Sequence, residues 1–418
     1  MSEFELRRSK LFSKLQDNSC AVIFSGVSKN SNSDATLPFV VNKNFYYLTG
    51  ITQEASVLLL VKSFGEEKAY LFIEPHDPVK EKWFGKRLTN EEAIAISDIK
   101  NINSTQVLDS ILSLVLTKEG SEYGSISSLY LDLTPEIKIG EGKYTTDLAQ
   151  IMKEKYPEVE VLDIFNILTE LRMVKSNFEV EEIKKAINLT EKGLNQMILN
   201  MQVGKYEYAL ADIFEFYGRS HDRAGLAFPT IIASGKNATI LHYPTQNERI
   251  GENELVLFDL GYDHNLYCAD ISRTYPVSGK YEGKGRLIYE AVLNCNKALI
   301  EYAKAGLKLI DLQNFAVEFL TNECLRLRLI TNKEDIRKYY YHSCSHHLGL
   351  DTHDIAIREK PLEPGNIITI EPGLYFAEYN VGVRIEDDVL ITEGKAINLS
   401  SNIIKEIEDI ERVFAMKK

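Results

Sequence analysis

Short apolar runs separated by polar turns recur along the N-terminal part of the chain, at residues 21–24, 57–61, 70–73, 129–133 and 159–162. Their length suits strands, and residues 90–95 between them read as a helix. Strands interleaved with helical stretches predict an α/β domain built on a mixed sheet. The pattern changes near residues 174–177. Ser176 and Glu179 have the spacing of a capping box, in which each side chain satisfies a free backbone N–H at a helix start, and Ile183, Ile187, Leu194 and Ile198 follow with helical periodicity. This places a boundary between an N-terminal domain, residues 1–173, and a C-terminal domain, residues 174–418. No Gly/Ser-rich, Pro-rich or low-complexity tract separates the two, which predicts packed domains rather than a flexible tether.

In the C-terminal part, runs that read as buried strands carry acids. Residues 255–258 lead into Asp259, a polar stretch around His264 and Asn265 follows, and another run begins after Asp270. Asn265 tolerates the left-handed conformation that tight hairpins need, and a two-residue loop at His264 and Asn265 sets Asp259 opposite Asp270. Like charges opposed across an antiparallel pair are destabilising, so this register makes sense with a cation between them. The bland alternative is two solvent-facing aspartates beside a turn. Residues 365–370 form a β-branched run ending at Glu371, with Pro372 and Gly373 stopping the strand. In residues 381–390, period-2 alternation puts Val383 and Ile385 on one face and Arg384 with Glu386 on the other. That pair reads either as a surface ion pair or as a metal-bridging carboxylate beside a fixed cation that orients another carboxylate.

Composition narrows the classes. At 418 residues and 44% hydrophobic, the chain has material for two domains at about 150 residues each. A net charge of −13 and a pI near 5.3 exclude nucleic acid as a main partner, because the backbones would repel. No apolar run approaches the roughly 18 residues that span a bilayer, and the first residues lack a signal-peptide core, so no membrane partner and a cytoplasmic location are expected. Cys20, Cys268, Cys295, Cys324 and Cys344 are scattered and odd in number, which fits reduced structural thiols.

Asp259, Asp270, His346, Glu371 and Glu386 together offer hard oxygen and borderline nitrogen donors to a pair of divalent cations. His242, His342, His346, His347 and His353 are five of the eight histidines. His342 and His346 have the spacing of a helical zinc motif, but Ser343 stands where that motif has its glutamate, which excludes it. His347 reads as a satisfied packing residue. Cys344 sits between His342 and His346, yet a thiol nucleophile needs its own base and those histidines have better-matched roles.

Residues 258–261, 269–274, 342–354, 369–375 and 383–387, in that order and approximate spacing, resemble segments of aminopeptidase P and prolidase, the pita-bread-fold metallopeptidases. The resemblance implies a creatinase-like α/β N-terminal domain with a mixed sheet, followed by an α+β pita-bread catalytic domain with an antiparallel sheet. It implies two divalent ions, commonly manganese with cobalt or zinc possible, held by Asp259, Asp270, His346, Glu371 and Glu386. His242, His342 and His353 line the substrate site in this family.

Peptide hydrolysis at two metals roughly 3.5–4 Å apart uses a bridging hydroxide and a polarised carbonyl. On the resemblance, Asp270 and Glu386 bridge the ions, Asp259 and His346 complete one shell each, and Glu371 also moves a proton to the leaving nitrogen. His342 or His353 hydrogen-bonds the substrate carbonyl or developing oxyanion, and His242 takes the leaving-group side. Tyr375, with His242 and His353, walls the proline pocket, and Arg384 joins the substrate-site residues. Residues 33–50 resemble the N-terminal domain of aminopeptidase P and some prolidases, which argues against a methionine aminopeptidase. In bacterial aminopeptidase P a segment similar to that around Trp83 reaches a neighbouring subunit's active site, so Trp83 is a candidate pocket residue. The expected protein is a homodimeric or homotetrameric Xaa-Pro aminopeptidase acting on peptides with proline at the second position. Alternatives are a prolidase confined to Xaa-Pro dipeptides and an inactive pita-bread binding protein, the latter disfavoured by the complete ligand set.

Overall fold

The computed structural model describes residues 1–418 apart from 33, 34, 118–121, 135, 136, 141, 142, 222, 223 and 418. Ser33 and Asp34, at the start of one of the resembling segments, lie outside the described residues. The chain divides into two compact units, Met1–Leu171 and Arg172–Lys418. Among the described residues no helix is long and apolar enough to cross a membrane.

In the first unit, strands β1 (Ser19–Phe24), β2 (Val57–Ser63), β3 (Glu66–Ile73), β4 (Asn101–Ser104), β5 (Ser128–Leu131) and β6 (Glu160–Asp163) form one sheet in the order β6-β5-β1-β2-β3-β4. β1 pairs antiparallel with β2 and parallel with β5, so the sheet is mixed as the sequence pattern predicts. Every residue of β1 is buried. A strand covered on both faces reads as an unbroken apolar run, which is why residues 21–24 are so conspicuous. Cys20, Val22, Leu59, Phe72 and Leu129 meet in this unit's core. Trp83 lies on the Pro78–Phe84 helix, none of whose residues is buried.

The second unit opens with the Asn177–Asn200 helix, whose capping box between Ser176 and Glu179 is formed as expected. Ile183, Ile187, Leu194 and Ile198 are all buried along it. Among the described residues four antiparallel groups of strands follow, one of them the short ladder of Asp263–His264 with Tyr267–Cys268. One holds β7 (Ile231–Ser234), β8 (Leu255–Leu260) and β9 (Ile271–Pro276). Of the next strands, β10 (Ile367–Ile370), β11 (Gly373–Phe376), β12 (Val381–Arg384), β13 (Asp387–Leu390) and β14 (Ile397–Asn398), β11 pairs with β12, and β13 lies between β10 and β14.

The hairpin after β8 does not turn at His264 and Asn265. Its register pairs Asp259 with Ser272 and His264 with Tyr267. The two-residue loop is Asn265 and Leu266, both at positive φ (47° and 67°), as the primed turns that join twisted strands require. The pairing is therefore shifted by two residues from the expected one. A shift of two keeps every side chain on its face, whereas a shift of one would reverse them all. Asp270 thus shares a face with Asp259 as a diagonal neighbour instead of facing it directly.

Gly261 locks this hairpin together. A Cβ at this position would lie 1.9 Å from the carbonyl oxygen of Ala269, a backbone atom that cannot move without parting the strands. Gly261→Ala is expected to destabilise the second unit by roughly 1–3 kcal/mol, the usual penalty for overpacking a tight contact. Urea denaturation followed by circular dichroism measures this, and an unchanged midpoint would show that the hairpin yields freely.

Candidate metal centre

Of the five predicted ligands only Asp259 lies inside a strand. Asp270 immediately precedes β9, Glu371 follows β10, and Glu386 falls between β12 and β13. His346 belongs to no strand but runs beside β10, with Thr369 N–H donating to His346 O at 2.9 Å and Glu371 N–H to Cys344 O at 2.8 Å. Glu371 thus stands at a strand end, as Pro372 and Gly373 after it predict, and Asp270 stands just before its run. Side chains at strand ends, where the chain changes direction, can aim at one point from several elements.

They do converge. His346 Nε2 lies 3.4 Å from Asp270 Oδ2 and 3.6 Å from Glu371 Oε1. Ser272 Oγ lies 3.1 Å from Asp259 Oδ1 and 2.7 Å from Glu386 Oε2. One donor atom from each of Asp270, His346 and Glu386 falls within 4.8 Å of the others. His346 Nδ1 donates to the carbonyl of His347 at 3.0 Å, so Nε2 carries the lone pair that faces the carboxylates.

Burial and mutual repulsion push Asp270, Glu371 and Glu386 up. Glu386 rises from 4.5 to about 7, through desolvation first and the Asp259 charge second. Asp270 and Glu371 rise well above the carboxylate range, through desolvation and then the charge of Glu386. Asp388, buried and accepting the Asp270 N–H at 3.2 Å, is raised by desolvation and by Asp270. Among the described residues the only Lys or Arg paired with the five is Arg384, whose Nη2 lies 2.6 Å from Asp259 Oδ2. One guanidinium does not balance four crowded carboxylates. Oxygen donors with one imidazole, buried and short of positive charge, suit divalent cations.

Tyr375 is 2% exposed. Its hydroxyl accepts from Arg384 Nη1 at 3.2 Å and donates to His342 Nε2 at 2.8 Å, while His342 Nδ1 donates to Ser343 O at 2.8 Å. Desolvation brings His342 down to about 4, so it is neutral at ordinary pH with both nitrogens committed to protein partners. His353 stacks edge-to-face on His346 at 4.4 Å, and its pKa is lowered by desolvation, then by His346 and His242. His242 is exposed, and its charge acts to lower both His342 and His353. Trp83 is in the other unit and 81% exposed. His347 is buried as expected but not satisfied, since its Nδ1 has no hydrogen-bond partner among the described residues. The Cys344 thiol is pushed up to about 12 by burial, which removes it as a nucleophile.

Sequence reasoning missed Ser272, Thr369 and Arg273. Thr369 Oγ1 accepts the His346 N–H at 3.1 Å, and Arg273 donates to the Glu386 carbonyl and, at 2.8 Å, to Asp387 Oδ1. Ser272 and Thr369 each stand two positions from a predicted ligand, and the strand period of two was the signal that could have found them. Arg273 had no such signal, because its partners come from distant segments.

The family description "Metallopeptidase family M24" matches residues 181–393, and "Aminopeptidase P, N-terminal domain" matches residues 4–123. A Xaa-Pro aminopeptidase of Haemophilus influenzae is 32% identical over 98% of this chain and 96% of its own. Zinc-substituted Escherichia coli aminopeptidase P in complex with product superposes with a TM-score of 0.90 at 27% identity, covering 100% of this chain and 99% of that one. The same E. coli protein with the inhibitor Pro-Leu gives 0.90 at 27% identity, with 100% and 99% covered.

The raised carboxyls have a pH consequence. With Glu386 moved from 4.5 to about 7, the metal-free folded chain holds a proton that the unfolded chain has released across that interval. The folded state then binds more protons, so its stability falls as pH rises from about 4.5 to about 7, and the raised Asp270 and Glu371 act in the same direction. Cations compete with those protons. The Tm of chelator-treated protein is expected to drop across this window, and the Tm gain on adding manganese to grow with pH; a pH-independent gain would contradict the assignment.

Proposed function

The chain belongs to metallopeptidase family M24 and carries the N-terminal domain of aminopeptidase P ahead of its catalytic fold, and from this we propose that it is a metal-dependent Xaa-Pro aminopeptidase. The observation that carries the reading is the convergence of Asp259, Asp270, His346, Glu371 and Glu386 in a buried site short of positive charge, in a chain matched over its whole length by Xaa-Pro aminopeptidases.

In this reading the five residues hold two divalent ions, manganese in the first place with cobalt or zinc as alternatives. When bound, the ions supply a nucleophile from water near neutral pH and polarise the scissile carbonyl. The side chains do the rest. Asp270 and Glu386, the most deeply buried acids of the set at 5% and 2% exposed, would hold the ions from the interior side of the site. Glu371, a carboxyl pushed up by burial and by Glu386, moves a proton between nucleophile and leaving nitrogen. His353 donates to the substrate carbonyl oxygen, a role that falls to it because both nitrogens of His342 are engaged. His342 instead orients Tyr375. Arg384 holds Asp259 and Tyr375 in one geometry, and His242 with Tyr375 borders the leaving proline. A bond to proline has no N–H for an ordinary backbone-reading site to grip, so shape at this wall selects the substrate. Trp83, exposed on the first unit, would contribute from a neighbouring subunit of a homodimer or homotetramer.

Manganese-loaded enzyme is expected to cleave Xaa-Pro-Xaa peptides, to spare Xaa-Ala-Xaa, and to lose activity by at least about a hundredfold in Asp270→Ala, the scale of losing a group that stabilises the transition state. Peptide release is followed by chromatography. Activity confined to Xaa-Pro dipeptides would make the protein a prolidase, and metal-independent or absent cleavage would overturn the peptidase reading.

A further inference from the structure

Glu207 opens the Glu207–Ser220 helix and is 0% exposed, yet among the described residues no Lys or Arg pairs with it. A buried carboxylate without a counter-charge is costly unless hydrogen bonds replace its water. Four do. Oε1 accepts from Ser234 N–H (2.7 Å), Ser234 Oγ (2.8 Å) and Asn237 Nδ2 (3.1 Å), and Oε2 accepts from Glu248 N–H (3.3 Å). These donors stand at both ends of one loop. His242 lies between them.

The loop is tied inward as well. Asn237 Nδ2 also donates to Tyr243 OH at 3.0 Å. Tyr243 is 6% exposed and packs with Ala238, Leu257 and Tyr375. Ala238 presses on β12, since a Cβ at Gly382 would meet its carbonyl oxygen at 2.0 Å. One carboxylate therefore connects the start of a helix to the segment that presents His242 and backs Tyr375.

We propose that Glu207 is a positioning residue for proline-peptide cleavage, fixing residues 234–248 and through them His242 and the Tyr243–Tyr375 wall. The inference rests on the Xaa-Pro peptidase reading for its effect on catalysis but not for its effect on the loop. Glu207→Gln keeps the size and the Oε1 acceptor, and sets an amide donor against the Glu248 N–H.

The test uses full-length, manganese-loaded Glu207→Gln, His242→Ala and the double variant, assayed on Xaa-Pro-Xaa peptides, with hydrogen exchange read by mass spectrometry. The expected result is a fall in kcat/KM of about ten- to a hundredfold, as small misplacements cause, with unchanged metal content and faster exchange confined to residues 234–248. In the His242→Ala background the same substitution is expected to cost less than it does in the wild type, because one of its two routes of action is already gone while the Tyr243–Tyr375 wall is still affected. Wild-type kcat/KM in Glu207→Gln, full additivity with His242→Ala, or unaltered exchange would each overturn the proposal. If Glu207→Gln fails to fold, Ser234→Ala, which removes one of the four bonds, gives the same pattern at smaller amplitude. A wild-type enzyme inactive on every peptide would sink the peptidase reading, while the exchange comparison still decides whether Glu207 holds the loop.

Discussion

Negative charge crowded into a pocket from which water is largely excluded is the constraint on which the second unit depends. Asp259, Asp270 and Glu386 are 8%, 5% and 2% exposed, and Glu371 joins them around His346. Coulomb repulsion strengthens as solvent leaves, so each added carboxylate raises the cost for the others. The chain places a diagonal hairpin pair, two strand ends and a loop around this point. Among the described residues only Arg384 of its Lys and Arg side chains pairs with these acids, and the remaining compensation has to come from outside the polypeptide.

Two neighbouring residues show the difference that an internal cation makes. Glu386 and Asp387 are consecutive and both buried, and desolvation pushes both upward. Asp387 ends well below the carboxylate range because Arg273 lies 2.8 Å and Lys405 2.6 Å from its oxygens. Glu386 has no Lys or Arg ion pair among the described residues, and the charges of Arg384 and His346 with the Ser272 hydrogen bond do not offset its burial and the Asp259 charge, so it stays high. Asp354 repeats the first pattern, held low by Lys175 and Arg172 against its own burial. Asp354 and Asp387 are thus given counter-charges by the fold, whereas Asp270, Glu371 and Glu386 have no Lys or Arg ion pair among the described residues. This contrast supports the metal assignment alongside their convergence on His346.

Around that centre the supporting groups act by fixing geometry. Arg384 links Asp259, Ser272 and Tyr375, and Tyr375 passes the constraint to His342. Arg273 grips the carbonyl of Glu386 and the carboxylate of Asp387 beside it. Glu207 extends the same logic to the loop of His242. Peptide hydrolysis gains most from groups already in place when charge develops, because no free energy is then lost in reorganising them.

The sequence by itself determined several of the elements, the class of each domain and the candidate ligands. Unbroken apolar runs marked β1 and β2, the Ser176–Glu179 box marked a helix start, and acids at the ends of β-branched runs marked the candidate metal centre, because these signals are local and follow from backbone periodicity and capping. The tertiary structure alone decided the rest. Whether the hairpin turned at His264 and Asn265 or at Asn265 and Leu266 depended on which residues accept positive φ within a twisted sheet, and that moved Asp270 from opposite Asp259 to its diagonal. That His342 is spoken for and His353 free follows from Tyr375 and Ser343 lying beside the first and not the second. Arg273, Glu207 and the raised carboxyls have no local signature. Burial and the approach of charges far apart in the chain are properties of the assembled fold, and no pattern along the chain records them.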